Sequence, residues 1–124
     1  MEQITPYLNF NGNAKEALDF YAKALNGEIV QSSTFGEANM AQDETMKDKI
    51  LHAVFRSGDL TFMVSDCPPG VSVSSGDQVS LSLNFLDVES IEKTFAALAD
   101  GGHITMPLQD TFRGARFGMT KDKF

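Results

Sequence analysis

Residues 4–29 read ITPYLNFNGNAKEALDFYAKALNGEI, and residues 79–104 read VSLSLNFLDVESIEKTFAALADGGHI. Laid over one another at a constant offset of 75, they share eight identities in 26 positions without a gap. Leu8-Asn9-Phe10 falls on Leu83-Asn84-Phe85, Phe20 on Phe95, Ala22 on Ala97, Ala24 on Ala99, Gly27 on Gly102 and Ile29 on Ile104. Two residues further out of step, Thr34-Phe35 echoes Thr111-Phe112. Chance likeness between two strand–helix units supplies a few matches, but not a shared Leu-Asn-Phe together with matched helix ends. The reading is therefore an internal duplication.

Each copy can be parsed from its own patterning. ITPYLNFNG reads as a strand ended by Asn-Gly. NAKEALDFYAKALNG reads as a helix, with Asn13 as N-cap and Glu16 three residues on. Ala17, Phe20, Tyr21, Ala24 and Leu25 recur at helical spacing, and Gly27 supplies a left-handed stop. EIVQSSTF resumes as a strand. The polar residues 36–49 form a long loop, with room for one helical turn. ILHAVFRSGDLTFMVSD is a strand, a Ser-Gly-Asp turn and a strand. Residues 67–78 have linker composition.

The pattern then restarts. VSLSLNFLD is a strand. VESIEKTFAALADGG is a helix capped by Asp87, burying Val88, Ile91, Phe95 and Leu98 and ended by Gly101-Gly102. HITMPLQ and Ala115–Thr120 are strands, and residues 121–123 are a turn. The fold class expected is α+β: a βαβββ module over residues 1–66 and a second module over 79–124 lacking its last strand. The duplication predicts that segments 4–29 and 79–104 superpose about a pseudo-twofold axis.

Composition narrows the function. At 124 residues the chain is expected to be one domain. Its net charge of −7 argues against nucleic acid or an anionic membrane surface as partner. No apolar run approaches the ~20 residues that span a bilayer, and MEQITPYL has no signal-peptide pattern. A lone Cys67 excludes an internal disulfide and suits a reducing cytoplasm.

The stretches PYLNFNGNAKEALDFYAKALNGEI, TFGE, ILHAVFRSGDLTFMVSD and LADGGHITMPLQDTFRGARFGMTKDKF carry a resemblance over almost the whole chain. It resembles the PhnB-like branch of the vicinal-oxygen-chelate superfamily, which includes glyoxalase I, bleomycin-resistance proteins and extradiol dioxygenases. The resemblance implies two curled mixed sheets forming a cup, and a homodimer. It also brings a ubiquinone-methyltransferase label, although no Gly-rich loop after a first strand suits a methyl donor. Where the family has Trp in TFWG, this chain has Arg113. The family continues after DKFG into a strand with an aromatic residue and an Asn. Without that strand the second sheet keeps an open edge, so dimerisation or further chain is expected to cover it.

Metal-dependent members place His, Gln or Glu on first and last strands. The corresponding positions here hold Thr5, Pro6 or Tyr7 in the first copy and Ser80 or Leu81 in the second, none a usual transition-metal ligand. The expectation is no four-ligand metal site and no cofactor. Strand alternation points Tyr7 and Asn9 into the cup. On ILHAVFR it sets Leu51, Ala53 and Phe55 on one face and His52, Val54 and Arg56 on the other. His52 reads either as a core histidine satisfied by a backbone carbonyl or as a ligand donor or general base. Asp66 reads either as a turn residue or as an acidic partner that orients His52 or binds substrate; Ser65 accompanies it. Glu37 is a solvated loop charge or a lid residue. Arg113 and Arg116 are surface charges or an anion clamp, with Arg116 favoured by the GARFG stretch. His103 is expected exposed, and Met40, Met46, Met63, Met106 and Met119 fill core and loops. The candidate catalytic residues are thus His52 and Asp66. The candidate ligand-binding residues are Tyr7, Asn9, Glu37, His52, Arg56, Ser65 and Arg116. The favoured function is small-molecule binding without a catalytic metal; the alternative is a metal-dependent glyoxalase-type lyase, isomerase or dioxygenase.

Overall fold

The computed structural model describes residues 1–41, 43–111 and 116–124. The chain divides into two compact units, Met1–Gly76 and Asp77–Phe124. Among the described residues no helix is long and apolar enough to cross a membrane.

The N-terminal unit contains β1 (Tyr7–Phe10), α1 (Ala14–Ala24), β2 (Glu28–Thr34), β3 (Ile50–Ser57) and β4 (Leu60–Asp66). Its sheet has the order β1-β4-β3-β2, with β1 parallel to β4 and the other pairs antiparallel. The Gly58 turn makes β3 and β4 a hairpin, with Ser57 opposite Leu60. One sheet face packs on α1. There Phe10, Ala53, Phe55, Phe62 and Val64 meet Ala14, Ala17, Leu18, Tyr21 and Ala24. Phe55 stacks on Phe62 with centroids 4.7 Å apart, and Tyr21 meets Phe62 edge-on at 5.7 Å. At roughly 1.5–3 kcal/mol for each fully buried large side chain, this layer is the unit's main stabilising contact.

The helix rotates slightly from its expected face. Leu18 is buried, whereas Phe20 and Leu25 are half-buried. Its end also differs. Asn26, not Gly27, takes the left-handed conformation, with φ 51°. Gly27 is needed for a close approach instead: a Cβ there would stand 2.5 Å from Phe55 Cζ and 2.7 Å from the Arg56 carbonyl.

The described residues of segment 36–49 form turns and no helix. Its base is clamped by Phe35 N–H to Lys49 O and Gly36 N–H to Lys47 O, both 3.0 Å. Asp43 caps its second turn, accepting from Thr45 and Met46.

The C-terminal unit contains α2 (Val88–Ala99), β5 (His103–Asp110) and β6 (Arg116–Lys121), the strands pairing as an antiparallel hairpin. Phe95 packs over Gly118, where a Cβ would come within 2.9 Å of its ring. No residue of α2 is buried. Ile91, Phe95 and Leu98 are half-buried and Val88 is exposed, short of the expected buried face. The strand expected at VSLSLNFLD does not form. Its sequence counterpart, β1, is held by rungs to β4, and no described strand of this unit stands in β4's place. An extended segment without a partner leaves its N–H and C=O groups to water. The Thr111-Phe112 echo, Arg113 and Ala115, the expected start of the last strand, involve positions outside the described residues, although Thr111 itself is described.

Candidate functional site

The face of the N-terminal sheet turned away from α1 carries the polar chemistry. It begins with a bulge. Ser33 opposes His52 while Thr34 opposes Ile50, so Leu51 is the extra residue. The core face therefore holds Ile50, Ala53 and Phe55 rather than Leu51, Ala53 and Phe55. His52, Val54 and Arg56 occupy the opposite face. Period-two alternation along β4 puts Thr61, Met63 and Ser65 there too. From β1 come Tyr7, opposite Met63, and Asn9, opposite Ser65.

Two hydrogen-bonded pairs organise this face. Tyr7 Oη lies 3.1 Å from His52 Nδ1, with ring centroids 5.8 Å apart. The bond spans the sheet, since β4 lies between the strands that carry the two residues. Beside it, Ser65 Oγ–H donates to Asn9 Oδ1 at 3.2 Å. Arg56 lies further along β3, exposed, with no hydrogen-bond or ion-pair partner among the described residues. The structure thus brings Tyr7, Asn9, His52, Ser65 and Arg56 onto one surface.

Asp66 is not on it. Two residues along β4 from Val64, its side chain turns to the helix face and is 2% exposed. Oδ1 accepts from Gly12 N–H (2.9 Å) and Ala14 N–H (3.0 Å), and Oδ2 accepts from Ile50 N–H (2.9 Å). Asn13, the expected N-cap, makes no side-chain cap bond. Asp66 supplies that function from a distant strand: it satisfies the first turn of α1 and places negative charge at its positive end. It does not orient His52. The alternation in FMVSD already separates Asp66 from Ser65.

The other candidates lie apart. Glu37 is in the exposed turn after β2, where Thr34 Oγ1 donates to its carboxylate at 3.1 Å. In the C-terminal unit, Arg116 lies 3.2 Å from both Glu92 and Asp110. Those carboxylates occupy it, so an anion would compete with two existing partners. His103 is exposed at the start of β5. Arg113 lies outside the described residues. Sequence reading overlooked Lys49, whose Nζ donates to Gly12 O at 2.8 Å; only the fold brings those positions together. A polar recess of about 480 Å³ near that contact, lined in part by Lys15, Glu16, Thr45 and Lys49, includes neither Tyr7 nor His52.

The donor set of the open face does not fit a divalent transition metal. It offers one imidazole with hydroxyls, an amide and a guanidinium, where such ions take several His, Cys or carboxylate ligands. Among the described residues no three His, Cys, Asp or Glu gather where they could hold a metal ion.

Comparison with known proteins adds the relatives. The family model for 3-demethylubiquinone-9 3-methyltransferase matches residues 2–124. Protein YjdN of Escherichia coli (strain K12) is 32% identical over 132 aligned positions, covering 98% of this chain and 88% of YjdN. The crystal structure of PA1353 from Pseudomonas aeruginosa is similar with TM-score 0.88 at 40% identity, covering 100% of this chain and 92% of that one. A PhnB protein from Bacillus cereus follows with TM-score 0.81 at 30% identity, covering 98% and 92%. The fosfomycin resistance protein FosX from Listeria monocytogenes, at 15% identity and TM-score 0.60 over 99% and 87%, is similar in fold alone.

Proposed function

The chain belongs to the 3-demethylubiquinone-9 3-methyltransferase family, the PhnB-like branch of the vicinal-oxygen-chelate superfamily, and on that premise we propose that it binds a small molecule on the open face of β1, β4 and β3 without a glyoxalase-type metal. The observation that carries this reading is the paired polar array, Tyr7 with His52 and Asn9 with Ser65, held on strands whose other face is the packed core. Side chains fixed by cross-strand bonds on a rigid sheet lose little freedom when a ligand arrives. No metal-dependent step follows from this donor set, and no methyl transfer is assigned to it. The protein acts as a homodimer in the cytoplasm, with no nucleic-acid or membrane partner. The half-buried free Cys67 and the net charge of −7 support that setting.

Elemental analysis of protein made without a His tag, paired with native mass spectrometry, tests the reading. The expected result is sub-stoichiometric metal and a small organic molecule that His52→Ala releases. One zinc, nickel or iron per chain, lost in His52→Ala, overturns it.

A further inference from the structure

The hydrogen-bond bookkeeping of the open face points to a ligand class, and this step rests on the binding reading above. We propose that the face takes a small organic oxyanion, a carboxylate or phosphonate borne on an apolar body.

Asn9 turns Oδ1 toward Ser65, whose Oγ–H donates to it. The two Nδ2 hydrogens remain as donors. The Tyr7–His52 contact acts in the same sense. A phenolic O–H is a good donor and its oxygen a poor acceptor, and among the described residues Tyr7 Oη has no other hydrogen-bond partner. The Oη–Nδ1 contact at 3.1 Å allows either group to donate; with Tyr7 taken as the donor, the ring proton of neutral His52 sits on Nε2. Protonation of His52 reverses the Tyr7 bond but leaves the Nε2 hydrogen in place. In both states the unengaged nitrogen is a donor.

Arg56 adds a guanidinium without a side-chain partner among the described residues. Glu28, opposite Arg56 in the β2–β3 register, forms no ion pair with it. The remaining strand residues of this face carry no carboxylate, since Asp66 is turned into the core. The array thus presents the Asn9 Nδ2 and His52 Nε2 donors and one cation, beside the acceptor oxygens of Ser65 and Tyr7, in a chain of net charge −7. A ligand rich in acceptor oxygens meets complementary groups there. A cationic ligand would meet only Glu28.

The apolar body has its place too. Tyr7 opposes Met63 and Met63 opposes Val54, giving an apolar strip across β1, β4 and β3. It lies between the donors Asn9 and His52 on one side and Arg56 on the other. From His52 to Arg56 is four residues of strand, about 13 Å, a span suited to a compact organic acid.

The test is an NMR titration of the isotope-labelled full chain with benzoate, phenylphosphonate and the neutral isostere benzamide. Both anions are expected to shift the Asn9 Nδ2 and His52 Nε2 resonances, and benzamide is not; the tighter anion identifies the preferred oxyanion. Arg56→Gln should weaken both anions on the order of tenfold and leave benzamide unchanged. Asn9→Asp, nearly isosteric, should abolish anion binding while the rest of the spectrum stays folded. The unliganded spectrum must also show the neutral His52 proton on Nε2; a proton on Nδ1 overturns the donor assignment. Equal shifts from benzamide and the anions overturn the oxyanion class and leave the binding reading standing. Silence of this face to all three probes overturns both.

Discussion

Asp66 joins three places that sequence keeps apart: the approach to α1 at Gly12, its first residue Ala14, and the start of β3 at Ile50. Hydrogen bonds to a buried carboxylate are stronger than neutral ones, and removing the acceptor strands the N–H groups it satisfied. Asp66→Ala should therefore destabilise the protein by about 3–5 kcal/mol, a large share of a typical domain's ~5–15 kcal/mol. Urea unfolding measures it. A loss below about 1 kcal/mol would mean that water replaces the carboxylate at little cost. Gly27→Ala makes a contrasting prediction. The added methyl collides with Phe55 and the Arg56 carbonyl, so overpacking of about 1–3 kcal/mol is expected. A helix-propensity gain would have the opposite sign, and the same unfolding curves separate the two.

At the scale of elements, α2 carries its own cap. Asp87 accepts from Ser90 N–H at 2.7 Å and Ser90 Oγ–H at 3.1 Å. The Ser90 backbone N–H first, and then its hydroxyl, hold the Asp87 carboxyl below the ordinary carboxylate value. Because the folded-state value is the lower one, the cap's contribution is present above the unfolded pKa of ~3.9 and is lost as pH falls through the folded value. Asp87→Asn should flatten the acid loss of α2 helicity followed by circular dichroism. An unchanged acid profile would show that the carboxylate's charge plays no part. The elements legible in sequence were those with local signals: the α1 periodicity, the Ser-Gly-Asp hairpin, and the Asp87 cap. What sequence did not disclose depends on distant partners. The Leu51 bulge follows from the pairing of β3 with β2, and the role of Asp66 from a helix that begins 52 residues earlier. Strand-like alternation at VSLSLNF could not announce that its rungs were absent. At the candidate site, alternation placed Tyr7, Asn9, His52 and Arg56 on one face; their hydrogen bonds required the sheet order.

The molecule as a whole presents an imbalance between its two units. Five residues of α1 are buried, and none of α2 is. Among the described residues of the C-terminal unit, eight large apolar side chains are exposed, including Val79 at 82%, Leu86 at 105%, and Leu81, Ile104, Phe117 and Met119. Isolated exposed apolar residues are ordinary, but a concentration of them marks a surface that something covers. Association costs about 4–15 kcal/mol before any affinity appears, and each fully buried large side chain contributes roughly 1.5–3 kcal/mol. Burying several of these residues in a symmetric contact would offset that cost. The proposed homodimer should therefore persist at micromolar concentration in light scattering. Leu81→Glu, on a segment without strand partners, should dissociate it and lower the melting temperature, while Glu37→Gln on the exposed β2–β3 turn should do neither. A wild-type monomer at micromolar concentration with an ordinary melting temperature would show that these side chains are tolerated in water and that the second copy is not needed.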